Sequence, residues 1–216
     1  FNGCTFKQTS ADAYNVWTYG AANVTFDNCT FESAGKSVLI YNESLNEVYN
    51  VTFNNCVLNA SSPVEGKAAI EIDSSFPNGG NGSYIVNINN TTATGFAVGN
   101  VSNNTLFNPK KGNKADVYVD GVKMIADGVT MNEAGEYLIS NAAGLRWVAN
   151  VVNTTTPYTP TIFDEATVKL TNDIDLKNEE WIPICDDRSQ RTEWHGIFDG
   201  QGYTVSNVKI TKKTEI

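Results

Sequence analysis

The sequence has little of what membrane-spanning or nucleic-acid-binding proteins need. Its 216 residues contain no apolar run of about 18 residues, roughly the minimum for a helix that spans a bilayer. Only 18% of the residues are charged, and the formal net charge is −9. Binding to phosphate backbones or to anionic lipids depends on clustered Lys and Arg. The sequence therefore predicts no nucleic-acid partner and no membrane insertion.

Cysteine and proline are scarce as well. The four cysteines show no C-x-x-C spacing, which argues against a structural metal site and against a disulfide framework. Cys4, Cys29 and Cys56 recur at one position of a repeat, so we predict free thiols that fill one column of the core. Only six prolines stand among many Asn, Thr and Gly residues, a composition typical of short strands and turns.

One six-residue phrase recurs through the first half of the chain. It reads F-N-G-C-T-F from Phe1, F-D-N-C-T-F from Phe26 and F-N-N-C-V-L from Phe53, and a fainter copy, I-N-N-T-T-A, starts at Ile88. The copies lie about 25 to 35 residues apart, a period typical of stacked structural units. The repeat therefore indicates the architecture more directly than it indicates the function.

Within one copy, the alternation of side chains slips by one residue. Val24 and Phe26 share one face of a strand, and Cys29 and Phe31 share one face of the next. A bend at Asn28, a residue type that tolerates the left-handed backbone region, returns both pairs to one interior. Two short strands that meet at an asparagine corner once per coil predict an all-β chain folded as a right-handed parallel β-helix, or solenoid.

Stacked coils would place the corner asparagines one above another. We predict a structural ladder in which each side-chain amide bonds the next, formed by Asn28, Asn55 and Asn90 beside the cysteine column. Gly3 takes the corner position in the first copy, so the ladder should start at the second coil.

Each coil carries a third strand between its corners, at 16–19, 38–41 and 69–72. Glu71 should not enter a dry core without a partner, and this sets the predicted phase of all three strands. The positions predicted to point inward are Trp17, Tyr19, Leu39, Tyr41, Ile70 and Ile72. The positions predicted to point outward are Thr18, Ile40 and Glu71.

The middle of the chain changes character. Two Asp-Gly pairs between alternating apolar residues predict a small hairpin segment within 111–139. One short capping α-helix should follow, because Leu145, Val148, Ala149 and Val152 fall on one helical face. The helix should be N-capped by the residue at 140 or at 141.

We therefore expect three regions: β-helix coils over 1–110, a linker with hairpins over 111–139, and a capping helix with the opening coils of a β-helix module over 140–216. That module is either a separate truncated unit or stacks on the first coil, within the chain or from a neighbour, since an open coil end is an unpaired strand edge. The chain starts at Phe rather than Met, and we expect it to be a segment of a longer protein.

The C-terminal third carries a specific resemblance. After the helix come V-K-L-T-N-D-I-D-L from Val168, W-I-P-I from Trp181 and G-I-F-D-G-Q-G-Y-T-V-S-N-V-K-I from Gly196. This order resembles the opening of a pectin-lyase-like β-helix module, as in adhesin-like surface proteins of gut bacteria. The same superfamily contains polysaccharide lyases, glycoside hydrolases and phage tailspikes, so the resemblance implies a fold and leaves the activity open.

Residues suited to catalysis are few. Residues 1–105 contain no Arg and only three Lys, whereas a lyase needs a base beside a calcium-binding cluster of acids. Glu71 and Asp73 form the one acid pair on a predicted strand of this region, and a solvated strand edge explains them better than hydrolysis. His195 is the single histidine, which leaves no second histidine for a paired site or a metal cluster. The sequence leaves enzymatic activity undecided and favours a noncatalytic chain without a cofactor.

Aromatic residues in polar loops are the remaining functional signal. Aromatic rings with polar neighbours suit sugar rings, and the C-terminal module offers such a set as candidate ligand-binding residues: Trp194, Tyr158, Tyr203, Arg188 and Arg191. Asp173 and Asp175 are weak candidates for a calcium site, and a turn acid beside a strand explains them better.

These observations favour a noncatalytic segment of a large extracellular bacterial surface protein, a rigid β-helical scaffold for adhesion or glycan contact. The expected partners are a host or dietary glycan or a surface protein, with self-stacking through open coil ends. One alternative is a fragment of a polysaccharide lyase or glycoside hydrolase whose active residues lie partly elsewhere. A second is a phage or fibre component that trimerises through its coils.

Overall fold

The computed structural model describes residues 1–19, 23–41, 47–62, 64, 66–73, 82–96, 104–109, 115–153, 165–185 and 194–211. The chain forms two compact units, unit 1 (Phe1–Met124) and unit 2 (Ile125–Ile216). The boundary between them lies inside the segment 111–139. Among the described residues, no helix combines the length and the apolar character needed to cross a membrane.

Unit 1 is a stack of short strands that pair with the equivalent strands of the next coil. Its strands are β1 (Thr5–Lys7), β2 (Val16–Tyr19), β3 (Val24–Asp27), β4 (Thr30–Ser33), β5 (Val38–Tyr41), β6 (Val48–Asn54), β7 (Val57–Ala60), β8 (Ile70–Asp73), β9 (Ser83–Asn89), β10 (Thr92–Thr94), β11 (Phe107–Pro109), β12 (Ala115–Val119) and β13 (Val122–Met124).

These strands form three sheets. Sheet 1 has the order β3-β6-β9-β12-β13, sheet 2 the order β1-β4-β7-β10, and sheet 3 the order β2-β5-β8-β11. All neighbours pair in parallel except β12 and β13, which form an antiparallel hairpin. Strands of about four successive coils thus stack in each sheet, and the predicted parallel β-helix is confirmed.

The corners between sheets 1 and 2 have the geometry that the phase slip predicts. Asn28, Asn55 and Asn90 have φ values of 53°, 52° and 44°, and Gly3 has a φ of 63°. The left-handed backbone turns the chain and returns the next side chain to the interior. The interior is an apolar column in which the rings of Phe1, Phe26 and Phe53 stack at centroid distances of 5.3 and 5.1 Å.

Sheet 3 differs from the prediction. Trp17 pairs with Leu39, and Leu39 pairs with Glu71, so the three side chains form one row on one face. Ile70 and Ile72 belong to the core, which confirms that Glu71 points outward between them; Trp17 and Leu39 point outward with it. The interior rows are Val16, Val38, Ile70 and Phe107, and Thr18, Ile40 and Ile72.

The predicted inward positions of Trp17 and Leu39 are therefore wrong, and so are the predicted outward positions of Thr18 and Ile40. The reason is that β5 reads V-L-I-Y and all four of its residues are buried. Where both faces of a strand are covered, the sequence does not alternate between apolar and polar residues, so it does not show which side chains point to the interior. Only the register with Glu71 on the neighbouring strand reveals which face is which.

Tyr41 is also misplaced by the prediction. It pairs with Asp73 and belongs to the outer face, although only 7% of it is exposed. The side chain of Tyr19, predicted to point inward, lies outside the described residues.

Unit 2 contains a hairpin, a helix and a second set of parallel strands. Its elements are β14 (Val129–Met131), β15 (Tyr137–Ile139), α1 (Ala142–Asn153), β16 (Thr167–Leu170), β17 (Ile174–Asp175), β18 (Ile197–Asp199) and β19 (Val205–Ser206). β14 pairs with β15 in antiparallel fashion, β15, β16 and β18 pair in parallel, and β17 pairs in parallel with β19.

The helix forms as predicted. The side-chain Oδ1 of Asn141 accepts a hydrogen bond of 2.9 Å from the Gly144 N–H, which satisfies one of the free donors of the first turn. The buried side of α1 consists of the predicted apolar residues together with a glycine, namely Gly144, Leu145, Val148, Ala149 and Val152. Leu145, Val148 and Val152 belong to the hydrophobic core of unit 2.

Candidate functional site

Of the five predicted sugar-binding residues of the C-terminal module, the structure describes Trp194 and Tyr203. Tyr158, Arg188 and Arg191 lie outside the described residues. Trp194 is half-buried and packs against the core of unit 2. Its ring lies so close to Gly196 that a Cβ there would be 2.3 Å from it. Tyr203 is 44% exposed in a turn that its N–H closes with the Gly200 carbonyl oxygen at 2.8 Å.

The two weak calcium candidates join successive coils of unit 2. Asp173 Oδ1 accepts a hydrogen bond of 2.8 Å from the Thr204 N–H. Asp175 Oδ1 accepts one of 2.7 Å from Asn207 Nδ2 and one of 2.8 Å from the Lys177 N–H. These bonds, that from Asn207 first, hold the pKa of Asp175 below its usual value. Across the described ranges, no three His, Cys, Asp or Glu residues group together so as to hold a metal.

The corner asparagines contact the neighbouring coils through their amides. Asn90 Nδ2 donates to Asn55 Oδ1 at 2.7 Å, whereas Asn28 Nδ2 lies 3.4 Å from Asn2 Oδ1. The bond between Asn55 and Asn90 satisfies two exposed amide groups at once and fixes the register of their coils.

A second polar row, one residue before the corner, was not predicted. Asn54 Nδ2 donates to Asp27 Oδ1 at 2.7 Å, and Asn89 Nδ2 donates to Asn54 Oδ1 at 2.9 Å. The sequence signal for this row is the repeated Asp or Asn that precedes each corner asparagine. Both rows hold coils together, and neither is a catalytic arrangement.

The cysteine column lies just inside the corner. Cys29 and Cys56 are each 1% exposed, Cys4 is half-buried, and all three are free thiols. Burial raises the pKa of the Cys56 thiol, and Cys56 Sγ lies 3.3 Å from the carbonyl oxygen of Phe26. A buried thiol with a raised pKa is a poor nucleophile, so Cys56 is suited to filling the core.

The outer face of sheet 3 combines aromatic and acidic side chains. We define this face by its outward residues: Trp17, Leu39, Tyr41, Glu71, Asp73 and Asn108. Trp17 is 56% exposed, and its ring meets that of Tyr41 edge to face, with centroids 6.0 Å apart and an interplanar angle of 89°. An indole that is held by a neighbouring ring while much of it remains in water is a platform for an apolar ligand surface.

Glu71 sits in this face but is closed to solvent. Its exposed fraction is 0%. Its Oε1 accepts a hydrogen bond of 2.7 Å from the Ala68 N–H and lies 3.5 Å from Asn108 Nδ2. Lys67 Nζ lies 3.8 Å from its Oε2. The carboxylate is thus balanced by donors of its own chain, and a polymer cannot reach it in this arrangement.

The outer face of sheet 3 is the best candidate site in the described structure, because it presents an exposed indole that a neighbouring ring holds in place. Sequence reasoning missed it because it placed Trp17 in the core. The predicted strand at 69–72 starts one residue before β8, which begins at Ile70. This shift in register exchanged the two predicted faces of β2 and β5.

The chain matches no protein-family model, and no curated protein or solved structure is significantly similar to it. The parallel β-helix is therefore established by the strand pairing alone. Since this architecture hosts unrelated activities, function has to be argued from the outer face of sheet 3 itself.

Proposed function

We propose that the chain is a noncatalytic segment of a large extracellular bacterial surface protein, similar to the adhesin-like, pectin-lyase-like β-helices, and that it contacts a host or dietary glycan. In this proposal the coils form a rigid scaffold that presents the outer face of sheet 3. The observation that carries it is the Trp17 indole, which is 56% exposed and braced by Tyr41.

Rigidity of the strand supports this assignment. Trp17 lies in the middle of β2, whose residues pair in register with those of β5, and β5 pairs in register with β8. A ring that is fixed by backbone ladders loses little conformational freedom when a ligand binds. Sugar rings present apolar C–H faces as well as hydroxyls, so an indole can cover the ring face while polar side chains nearby bond the hydroxyls.

The state of Glu71 favours binding over hydrolysis. A retaining glycosidase holds two carboxyl groups about 5 Å apart and an inverting enzyme about 6.5 to 9.5 Å apart, both open to the substrate. Glu71 is fully buried and bonded to Ala68. The alternative function, a fragment of a polysaccharide lyase or glycoside hydrolase, is favoured by one observation only: Asp73 lies two residues further along on the same face of β8.

A glycan panel tests the proposal. The chain should bind at least one host, dietary or microbial polysaccharide without releasing fragments, and Trp17→Ala should weaken that binding at least tenfold. Val57→Ala is the control, because Val57 is 39% exposed on β7 of sheet 2, outside the proposed site, and the change should leave binding unchanged. Turnover of any polymer by the wild-type chain would overturn the proposal, and so would unchanged binding by Trp17→Ala.

A further inference from the structure

The charges around the outer face of sheet 3 narrow the class of glycan that it can bind, provided that it binds a glycan as proposed above. Proteins hold carboxylate and sulfate groups mainly with Arg, whose guanidinium donates two parallel hydrogen bonds, or with the ammonium of Lys. Unit 1 contains no Arg, and its seven Lys stand against ten Asp and Glu. The unit that carries sheet 3 is therefore poor in groups that recognise an acidic sugar.

The four described lysines of unit 1 all have partners within the chain. Lys36 donates to the carbonyl oxygen of Asp12 at 3.2 Å and lies over the Tyr14 ring. The other three face carboxylates at Nζ–O distances of 2.8 to 3.8 Å: Lys7 with Glu32, Lys67 with Glu71, and Lys123 with Asp116. Of these three pairs, the one with Lys67 contacts the outer face of sheet 3, and there the lysine charge already offsets that of a carboxylate.

Asp73 adds a negative charge to the same face. It follows Glu71 by two residues on β8 and lies beside Tyr41 of β5. Its side chain is half-buried, whereas Glu71 is closed to solvent and faces Lys67. Two carboxylates and one ammonium leave this part of the face with a net negative charge, and Asp73 is the group through which a polymer meets it.

Three further lysines follow sheet 3 in the sequence. Lys110, Lys111 and Lys114 come after β11 and lie outside the described residues. β11 is the strand of sheet 3 farthest from β2, with β5 and β8 between them. A glycan that covers Trp17 and extends along the sheet therefore meets Asp73 before it passes β11. Further coils would lengthen this face and leave it in water, because stacking in a solenoid buries the ends of coils.

We propose that the outer face of sheet 3 binds glycans without acidic groups and rejects polymers of uronic, sialic or sulfated sugars. The Trp17 indole covers the C–H face of a sugar ring, which requires no charge. Asp73 accepts hydrogen bonds from hydroxyl groups, whereas a carboxylate or sulfate beside it brings like charges together. Two like charges about 5 Å apart in water weaken binding about fourfold, and an acidic polymer repeats its charge along the face.

Binding assays with matched polymers test the proposal. The neutral panel contains mannan, xyloglucan and starch, and the acidic panel contains polygalacturonate, hyaluronate and heparin. At low salt the tightest neutral polymer should bind at least tenfold more tightly than any acidic one. Oxidation of its primary hydroxyls to carboxylates should weaken its binding at least tenfold. Methyl esterification of those carboxylates should restore binding, which separates the effect of charge from the loss of a hydroxyl.

Asp73→Asn separates the local charge from the net charge of the chain. The measured quantity is the dissociation constant of the oxidised polymer divided by that of the neutral one. Asp73→Asn should lower this ratio at least threefold at low salt. Asp116→Asn is the matched control, because it makes the same change in net charge on β12 of sheet 1, and it should leave the ratio unchanged. If both variants lower the ratio equally, the net charge alone discriminates and the proposal is overturned.

The same assays distinguish this proposal from the glycan contact on which it rests. Binding of an acidic polymer as tightly as the best neutral one would overturn the preference and leave the glycan contact intact. If no polymer of either panel binds, the glycan contact itself is wrong, and the preference is wrong with it.

Discussion

Amide and carboxylate contacts between successive coils occur in different proportions in the two units. In unit 1 side-chain amides bond each other, as Asn89 does to Asn54 and Asn90 to Asn55, and the carboxylates of Asp27 and Asp120 accept further bonds between coils. In unit 2 carboxylates take this role, as Asp175 does with Asn207. Amides keep their charge state at every pH, whereas carboxylates lose their charge in acid. The same architecture therefore depends on pH in one unit more than in the other.

The interiors differ in the same way. Unit 1 stacks the rings of Phe1, Phe26 and Phe53 inside its first three corners, with centroids 5.3 and 5.1 Å apart, and Ile88 follows at the fourth. Unit 2 buries mainly aliphatic side chains beneath α1. It also contains a partly buried ion pair at its helix, in which Arg146 lies 3.7 Å from Glu179. A long repeat can rely on uniform packing, whereas a short stack beneath a helix depends on individual polar contacts.

The largest effect should follow Phe53→Ala. Phe53 is fully buried and stacks on Phe26 at 5.1 Å, so its removal leaves a cavity in the ring column. We expect a loss of about 3 to 5 kcal/mol in the free energy of unfolding of unit 1, measured by denaturant titration. Phe198→Ala removes a ring of unit 2 that is 40% exposed and should have a much smaller effect. Equal losses for the two substitutions would contradict the described core.

A smaller loss should follow Arg146→Met in unit 2. The guanidinium donates to the Glu180 carbonyl oxygen at 2.7 Å and faces the Trp181 ring at 5.9 Å. Burial lowers the pKa of Arg146, and the charge of Glu179 opposes that shift. Because the substitution removes the guanidinium that faces Glu179, we expect a loss of about 1 to 3 kcal/mol.

A double-mutant cycle separates the ion pair from the helix contact. Adding Glu179→Gln to Arg146→Met should restore part of the loss, since the double variant has no uncompensated charge. Strictly additive losses, measured by denaturant titration, would show that the two charges do not interact.

Asn54→Ala should have a smaller effect on unit 1. It removes the bonds that Asn54 makes to Asp27 and to Asn89, each worth about 0.5 to 1.5 kcal/mol. Asn50→Ala, on the exposed side of the same strand β6, is the control and should change the urea midpoint little. If both variants unfold at the same urea concentration, the polar row does not stabilise the stack.

Acid should weaken unit 2 gradually. Hydrogen bonds lower the folded-state pKa values of Asp175 and Asp199, the latter through Gln201, and Lys169 lowers that of Glu136. A lowered folded pKa means that the contribution is complete above the unfolded pKa and is lost as pH falls through the folded value. Hydrogen exchange at neutral and at strongly acidic pH should show lost protection in β16–β19. Protection lost first at the Asn90 corner would contradict the comparison.

The coil architecture could be predicted because one physical signal repeats. A phase slip at an asparagine requires a left-handed corner, and the φ values of Asn28, Asn55 and Asn90 agree with it. Helix α1 could be predicted equally well, because its apolar spacing and the N-cap at Asn141 are local features of the sequence. Signals of this kind depend only on neighbouring residues, so they can be recognised without knowledge of the tertiary structure.

The candidate site could not be predicted because its signal is not local. Both faces of β5 are buried, so its sequence carries no alternation, and the face of Trp17 depends on register with a strand more than fifty residues away. The contacts of Glu71 with Ala68 and Lys67, by contrast, are local, because both residues come just before β8. The corner at Asn207 could have been predicted from the sequence, because V-S-N-V-K-I has apolar residues at the same positions as F-D-N-C-T-F.

Fluorine NMR on protein labelled with 5-fluorotryptophan tests the outward orientation of Trp17 most directly. The four tryptophans should give four resonances, and Trp17→Phe identifies one of them. The chemical shift of that resonance should change most between H₂O and D₂O, because the other three indoles are partly buried. It should also change when a glycan that the chain binds is added. If the chemical shift of the Trp17 resonance is the same in H₂O and D₂O, the ring lies in the core and the account is contradicted.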